Sequence, residues 1–152
     1  MNTTEPFVRK AKKSDFEHVK HFIKEHYERE FPELPYEKLR KNAEASYKTH
    51  VGNDGTFVLI LDNKIIGYLS VGVRKNKKLN LHEGEIYMIH IAKEFRGRGY
   101  AHILMKTADE YFKKKKADFC VVTTSFTNEV SQSLYKEYGF NPWRITLRRL
   151  NK

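Results

Sequence analysis

The chain has 152 residues, 39% hydrophobic and 13% aromatic, which suits one packed core and is too aromatic for a disordered chain. No apolar run reaches the roughly 18 residues a membrane-spanning helix needs, and the opening MNTTEPFVRKAKK lacks the apolar stretch of a secretion signal. The lone Cys120 excludes an internal disulfide and fits a reducing, cytoplasmic location, while the net charge of +10 suits an anionic ligand, nucleic acid or a solvated basic surface.

In chain order, Phe7 to Ala11 reads as a first strand. Ser14 followed by Glu17 has the spacing of a capping box, and Phe16, Val19, Phe22, Ile23 and Tyr27 then repeat at helical intervals. Pro32 and Pro35 interrupt, and a second amphipathic helix is predicted over Tyr36 to Thr49. Two strands, TFVLILD and KIIGYLSVGVRK, flank the turn pair Asp62-Asn63 and read as a hairpin. A polar connection, NKKLNLHEG, leads to a fourth strand over Glu85 to Ala92, and a helix follows from Gly99 to about Lys116. Asp118 to Phe126 is β-branched and reads as a buried strand. A short helix over Asn128 to Tyr138 stops at Gly139, and WRITLRRL alternates as a last strand. The order is β-α-α-β-β-β-α-β-α-β, an α/β chain of the α+β type in one domain over residues 1–152.

Between the fourth strand and its helix lies Arg96-Gly97-Arg98-Gly99. The first amides of a helix lack intrahelical partners and carry the positive end of its dipole, so glycines there let backbone wrap an anion such as a phosphate. The bland alternative is a basic turn with glycines kept for geometry. The dinucleotide fingerprint fails for want of a third glycine, and the P-loop ending is absent. Cys120 in mid-strand reads as a small buried hydrophobe. His18, His21 and His26 share one helix without a closing ligand set, so no metal is expected. Lys113 to Lys116 ends a helix, where cations complement the dipole, and no nucleic-acid motif accompanies it.

Arg96-Gly97-Arg98-Gly99-Tyr100-Ala101 matches the R/Q-x-x-G-x-G/A signature of the GNAT superfamily of acetyl-CoA-dependent N-acetyltransferases. The run Asn128 to Phe140, with Leu134, Tyr135 and Gly139 in place, resembles that family's N-x-x-A-x-x-L-Y-x-x-x-G-F block, with Ser131 in place of the alanine. Two motifs in order, with agreeing element order, extend the resemblance over nearly the whole chain. It implies a mixed, mostly antiparallel sheet splayed between strands 4 and 5 and flanked by about four helices. It implies acetyl-CoA as co-substrate, bound by Arg96, Gly97, Arg98, Gly99, Tyr100 and Ala101 with its pyrophosphate on the amides of Arg98 to Ala101, and its pantetheine along Ile89, His90 and Ile91. Asn128 would contact the cofactor or cap its helix.

The resemblance also makes Tyr135 the general acid for the departing thiolate, the alternative being a ring packed in the core. Glu85 is the candidate general base, equally readable as an exposed carboxylate at a strand start, with Glu83, His90 and Tyr87 weaker candidates. The acceptor is then a primary amine, small molecule or peptide, attacked in a ternary complex. Glu28, Glu30, Glu33, Glu83 and Glu85 are expected to draw a cationic amine. Relatives commonly end in a two-stranded hairpin, whereas about one strand follows Phe140; the cleft is either open or completed by another subunit, and the chain a monomer or homodimer. A non-catalytic acetyl-CoA sensor and a basic nucleic-acid-binding module are the alternatives.

Overall fold

Alternation in the strands and 3.6-residue periodicity in the helices place apolar side chains on both faces of one sheet. The computed structural model describes residues 4–51 and 54–151. Strands β1 (Phe7–Lys10), β2 (Thr56–Leu61), β3 (Lys64–Asn76), β4 (Leu81–Ile91) and β5 (Phe119–Val122) lie in that order across the sheet. The first three pairings are antiparallel and β4–β5 is parallel, with Glu83 beside Phe119 and Ile86 beside Val122. Helices α1 (Phe16–Glu30) and α2 (Tyr36–His50) cover one face; α3 (Tyr100–Lys114) and α4 (Glu129–Glu137) serve the other.

The division follows the strand period of two. Val58 and Ile60 of β2 join Val19, Phe22 and Ile23 of α1, whereas Leu59 between them joins Leu104, Met105 and Ala108 of α3. Asp62 and Asn63 adopt positive φ of 49° and 62°, which gives the β2–β3 hairpin the left-handed turn its two-residue connection requires. The expected mixed, mostly antiparallel sheet with four helices is thus present. Among the described residues no helix is long and apolar enough to cross a membrane.

Four local expectations are corrected. The start of α1 is not capped by Ser14 and Glu17: a 3₁₀ turn over Lys13–Asp15 precedes it. There the Asp15 carboxylate accepts the Lys12 amide (2.7 Å) and both Arg9 guanidinium nitrogens (2.8 and 2.9 Å). That bond from Arg9 holds the Asp15 carboxyl below its usual range against burial, so its contribution to stability is lost only as pH falls through the lowered value. The polar connection between β3 and β4 shrinks to residues 77–80, because β4 begins at Leu81; Glu83 and Glu85 therefore lie within a strand. β5 ends at Val122, four residues before Phe126. The predicted last strand is absent: residues 141–151 carry no regular structure, and Ile145 and Leu147 are exposed. Alternation gives a segment strand preference, but a strand forms only where a neighbour supplies its ladder, and none does here.

One irregularity positions the site. Ser70 pairs with Met88 and Val71 with Ile86, so Tyr87 is an extra residue in β4. Such a bulge bends the strand and increases its local twist. It falls one residue past Ile86, the last β4 residue paired with β5.

Candidate active site

The bulge and the early end of β5 open the sheet. From Met88 to Ile91, β4 is paired with β3 on one side and with nothing from β5 among the described residues on the other. The opening is lined by Met88 and Ile89 of β4, Thr123 and Thr124 beyond β5, and Asn128 and Tyr135 of the α4 segment. The last turns of α1 close its other side with His26, Arg29 and Glu30.

Past the end of β4 stands the glycine loop. Gly97 and Gly99 have φ of 74° and 81°, which favours glycine, and nothing lies within 4 Å of where a β-carbon would stand on either. Their requirement is conformational rather than steric. Gly99 is the N-cap of α3, so the amides of Tyr100 and Ala101 open the helix, where amides have no intrahelical acceptor. The Arg98 guanidinium lies 5.8 Å from the Phe95 ring centre. Arg96 turns away instead: its Nε donates to the Ile91 carbonyl (2.9 Å) and its Nη2 to Glu25 of α1 (2.7 Å).

Tyr135 is buried, edge-on to Phe140, and its phenol is pushed up to about 12 by burial, a rise that Arg29 opposes and Glu30 reinforces. Asn128 caps α4, its Oδ1 accepting the Ser131 amide at 3.1 Å, and it also lines the opening. Tyr138 ties α4 to α3, its hydroxyl 3.0 Å from Nδ1 of His102. Gly139 closes α4 with φ of 85°.

Glu85 pairs with Gly72 in the ladder, on the strand face that carries Tyr87, while Ile86 points to the α3 core. Its carboxyl is raised by burial, with Arg74 at 3.7 Å pulling the other way. It does not line the opening with Tyr135; Tyr87, two residues on, does. Glu83 accepts from Asn76 (2.8 Å) and Arg74 (3.4 Å), which hold it below its usual range and make it a poor base. The side chain of His90 is buried against Phe22, with ring centres 4.9 Å apart, and burial lowers it to about 4. Its ring therefore faces α1, and only its backbone can serve a ligand on the open edge.

The five glutamates expected to draw a cation are each already matched with a basic side chain. Glu28 stands 3.8 Å from Lys24, Glu30 3.6 Å from Arg29, and Glu33 is paired with Arg148. Glu83 and Glu85 share Arg74. Cys120 is half-buried and its thiol is pushed up to about 11, as a packed strand cysteine should be. Among the described residues no three His, Cys, Asp or Glu side chains form a group able to hold a metal ion.

Sequence reading missed Glu25 and Arg29, and named His26 only among the histidines weighed for a metal and Glu30 only as an attractor for a cationic amine, not as walls of the opening. Their signal was faint: His26, Arg29 and Glu30 fall at i, i+3 and i+4, one edge of the helix whose apolar stripe is Val19, Phe22 and Ile23.

The same fold recurs in known structures. The sequence model of the acetyltransferase (GNAT) family matches residues 16–140. N-alpha-acetyltransferase 30 of Schizosaccharomyces pombe is 30% identical over 94 residues, 62% of this chain and 62% of that protein. An N-acetyltransferase of Methanocaldococcus jannaschii is 30% identical over 88 residues, 57% of this chain and 39% of its own length. This chain thus spans less than two thirds of either relative. An acetyl transferase from Pyrococcus furiosus superposes with a TM-score of 0.78 at 19% identity, covering 97% of this chain and 100% of that one. The aminoglycoside acetyltransferase AAC(6')-Iy, solved with a bisubstrate analogue, gives 0.73 at 20% identity over 98% and 100%. With the family's motifs standing on an opened sheet and a glycine-headed helix, the chain belongs to the GNAT acetyltransferase family.

Proposed function

We propose that this domain transfers the acetyl group of acetyl-CoA to a primary amine by direct attack in a ternary complex. One observation supports the reading: β4 beyond its last β5 pairing lines one opening with the buried Tyr135, and the same strand runs on to a glycine-headed helix. The diphosphate would sit on the amides from Arg98 to Ala101. The pantetheine would run along Ile89 to Ile91 like an added strand, and an amide of that edge would polarise the thioester carbonyl. Asn128 would stand near the thioester while capping α4.

In the reaction the amine first loses a proton, directly or through water, to Glu85, whose raised affinity for protons suits a base. The neutral nitrogen then bonds to the carbonyl carbon, the carbon–sulfur bond breaks, the thiolate leaves facing Tyr135, and the nitrogen's surplus proton passes to the thiolate or to water to give the amide and CoA. A phenol near 12 holds its proton more tightly than a thiol near 8.5, so full transfer to sulfur is uphill. Tyr135 therefore serves first as a hydrogen-bond donor to the developing thiolate, with Arg29 beside it supplying positive charge. The fission-yeast relative is an N-alpha-acetyltransferase, so a peptide N-terminus is the first acceptor to try.

Calorimetry with acetyl-CoA followed by a CoA-release screen over peptides, amino acids, polyamines and aminoglycosides tests the reading. Failure to bind acetyl-CoA ends it, and binding without transfer to any amine favours the sensor. Two variants refine it. Gly99→Ala forces a β-carbon into the left-handed region at a cost of about 1–2 kcal/mol, so acetyl-CoA binding should weaken about tenfold in calorimetry. Glu85→Gln should lower kcat/KM about 10²-fold. The unmodified enzyme should lose activity as pH falls through the raised Glu85 value, because the protonated carboxyl accepts nothing. That acidic limb should vanish from the variant's profile, and an unaltered profile would assign the base to water.

A further inference from the structure

The signature arginine is not free to meet a phosphate. Arg96 Nε donates to the carbonyl of Ile91, the last residue of β4. Its Nη2 donates to Oε1 of Glu25, 71 residues earlier on α1, and stands 3.3 Å from Nε2 of His90. The other oxygen of Glu25 lies 3.2 Å from the same imidazole nitrogen, and the imidazole is sealed against Phe22. The guanidinium thus faces one carbonyl, one carboxylate and one buried ring from two separate elements.

These contacts brace the segment that delivers the glycine loop. After β4 the Ala92 amide bonds to the Ile66 carbonyl (2.8 Å), and a 3₁₀ turn over Lys93–Phe95 returns the chain. Beyond it, Gly97 and Gly99 have conformational freedom and no packing neighbour at the β-carbon position, so the two glycines themselves do little to hold the loop. Arg96 is the residue before that tip, and Glu25 is its acidic partner on another element.

We infer that Glu25 is a positioning residue for the donor: through Arg96 it fixes the glycine loop in the shape that receives the diphosphate, and Arg96 is a brace rather than a phosphate ligand. The inference rests on the acetyl-CoA reading above and adds to it a residue outside the signature. A competing role for the pair predicts the opposite sign. If Glu25 merely occupied an arginine that the phosphate later captures, removing the carboxylate would free Arg96 and tighten binding.

The test is calorimetry of acetyl-CoA with the full chain and its Glu25→Ala and Glu25→Gln variants, alongside kcat, KM and Tm. Both side chains are about two-fifths exposed, which limits the expected effect. Glu25→Ala should weaken acetyl-CoA binding about three- to tenfold and raise its KM alike, with kcat within about twofold. Glu25→Gln, whose amide oxygen still accepts the Arg96 N–H, should recover most of the loss. Unchanged or tighter binding by Glu25→Ala overturns the inference, as does a lowered Tm with an unchanged KM. Intact binding by the variants overturns this inference alone, whereas no binding by the unmodified chain overturns the donor reading with it.

Discussion

Tyr135→Phe is expected to lower kcat about 10²-fold or more, with KM for acetyl-CoA and Tm nearly unchanged. The reason lies in what the hydroxyl does and what the ring does. The ring is buried edge-on to Phe140, and phenylalanine keeps that packing. The hydroxyl is the part that can donate to a developing thiolate, and Tyr135 lines the opening with Asn128. Burial pushes the phenol up to about 12, so it stays protonated at working pH and its donor form needs no tuning. Steady-state kinetics over acetyl-CoA concentration separates the outcomes. A variant with full kcat would return Tyr135 to a packing residue, and one with both Tm and kcat lowered would leave the loss to misfolding. Arg29→Met should then lower kcat a little further from its own baseline than from that of Tyr135→Phe, because both act on the same sulfur.

Leu104→Ala is expected to cost about 2–5 kcal/mol of unfolding free energy. Leu104 is fully buried in the second turn of α3 and packs on the sheet over Gly67, where an added β-carbon would stand 3.3 Å from a Leu104 methyl. Gly67 leaves room for that methyl, so truncation opens space that the rigid sheet cannot collapse to fill. Urea denaturation measures the loss, and a change below about 1 kcal/mol would mean that α3 shifts to close the gap. Because α3 carries Tyr100 and Ala101 at its head, such a shift should appear also as weaker acetyl-CoA binding.

Much of the architecture was legible because its signals are local. Asp62-Asn63 needs no distant partner to make a tight turn, Asn128 caps a helix through an amide three residues away, and Gly139 ends that helix by its own conformation. The same holds for the alternation of Val58, Leu59 and Ile60, which assigns each to a face before any neighbour is known. The segment from Trp143 to Leu150 shows the limit. Its alternation is as regular as that of a true strand, yet Arg148 instead reaches the Glu30 carbonyl and the Phe31 ring, and no ladder forms.

The candidate site divides along the same line. The residues of the glycine loop, Tyr135 and Asn128 stand in short motifs, and the sequence alone determined where these fall and, through their resemblance to a family, which roles to expect of them. Which acid meets which base is a matter of contacts between distant segments. Arg96 finds Glu25, Glu33 finds Arg148, and Glu83 is held as a carboxylate by Arg74 and Asn76 while Glu85 is raised by burial. The tertiary structure alone decided that α1 forms a wall of the opening through His26, Arg29 and Glu30. It also placed the bulge at Tyr87, where the sheet parts. Local propensity is written into neighbouring residues, whereas pairing, desolvation and strand divergence depend on what the fold brings within a few ångströms.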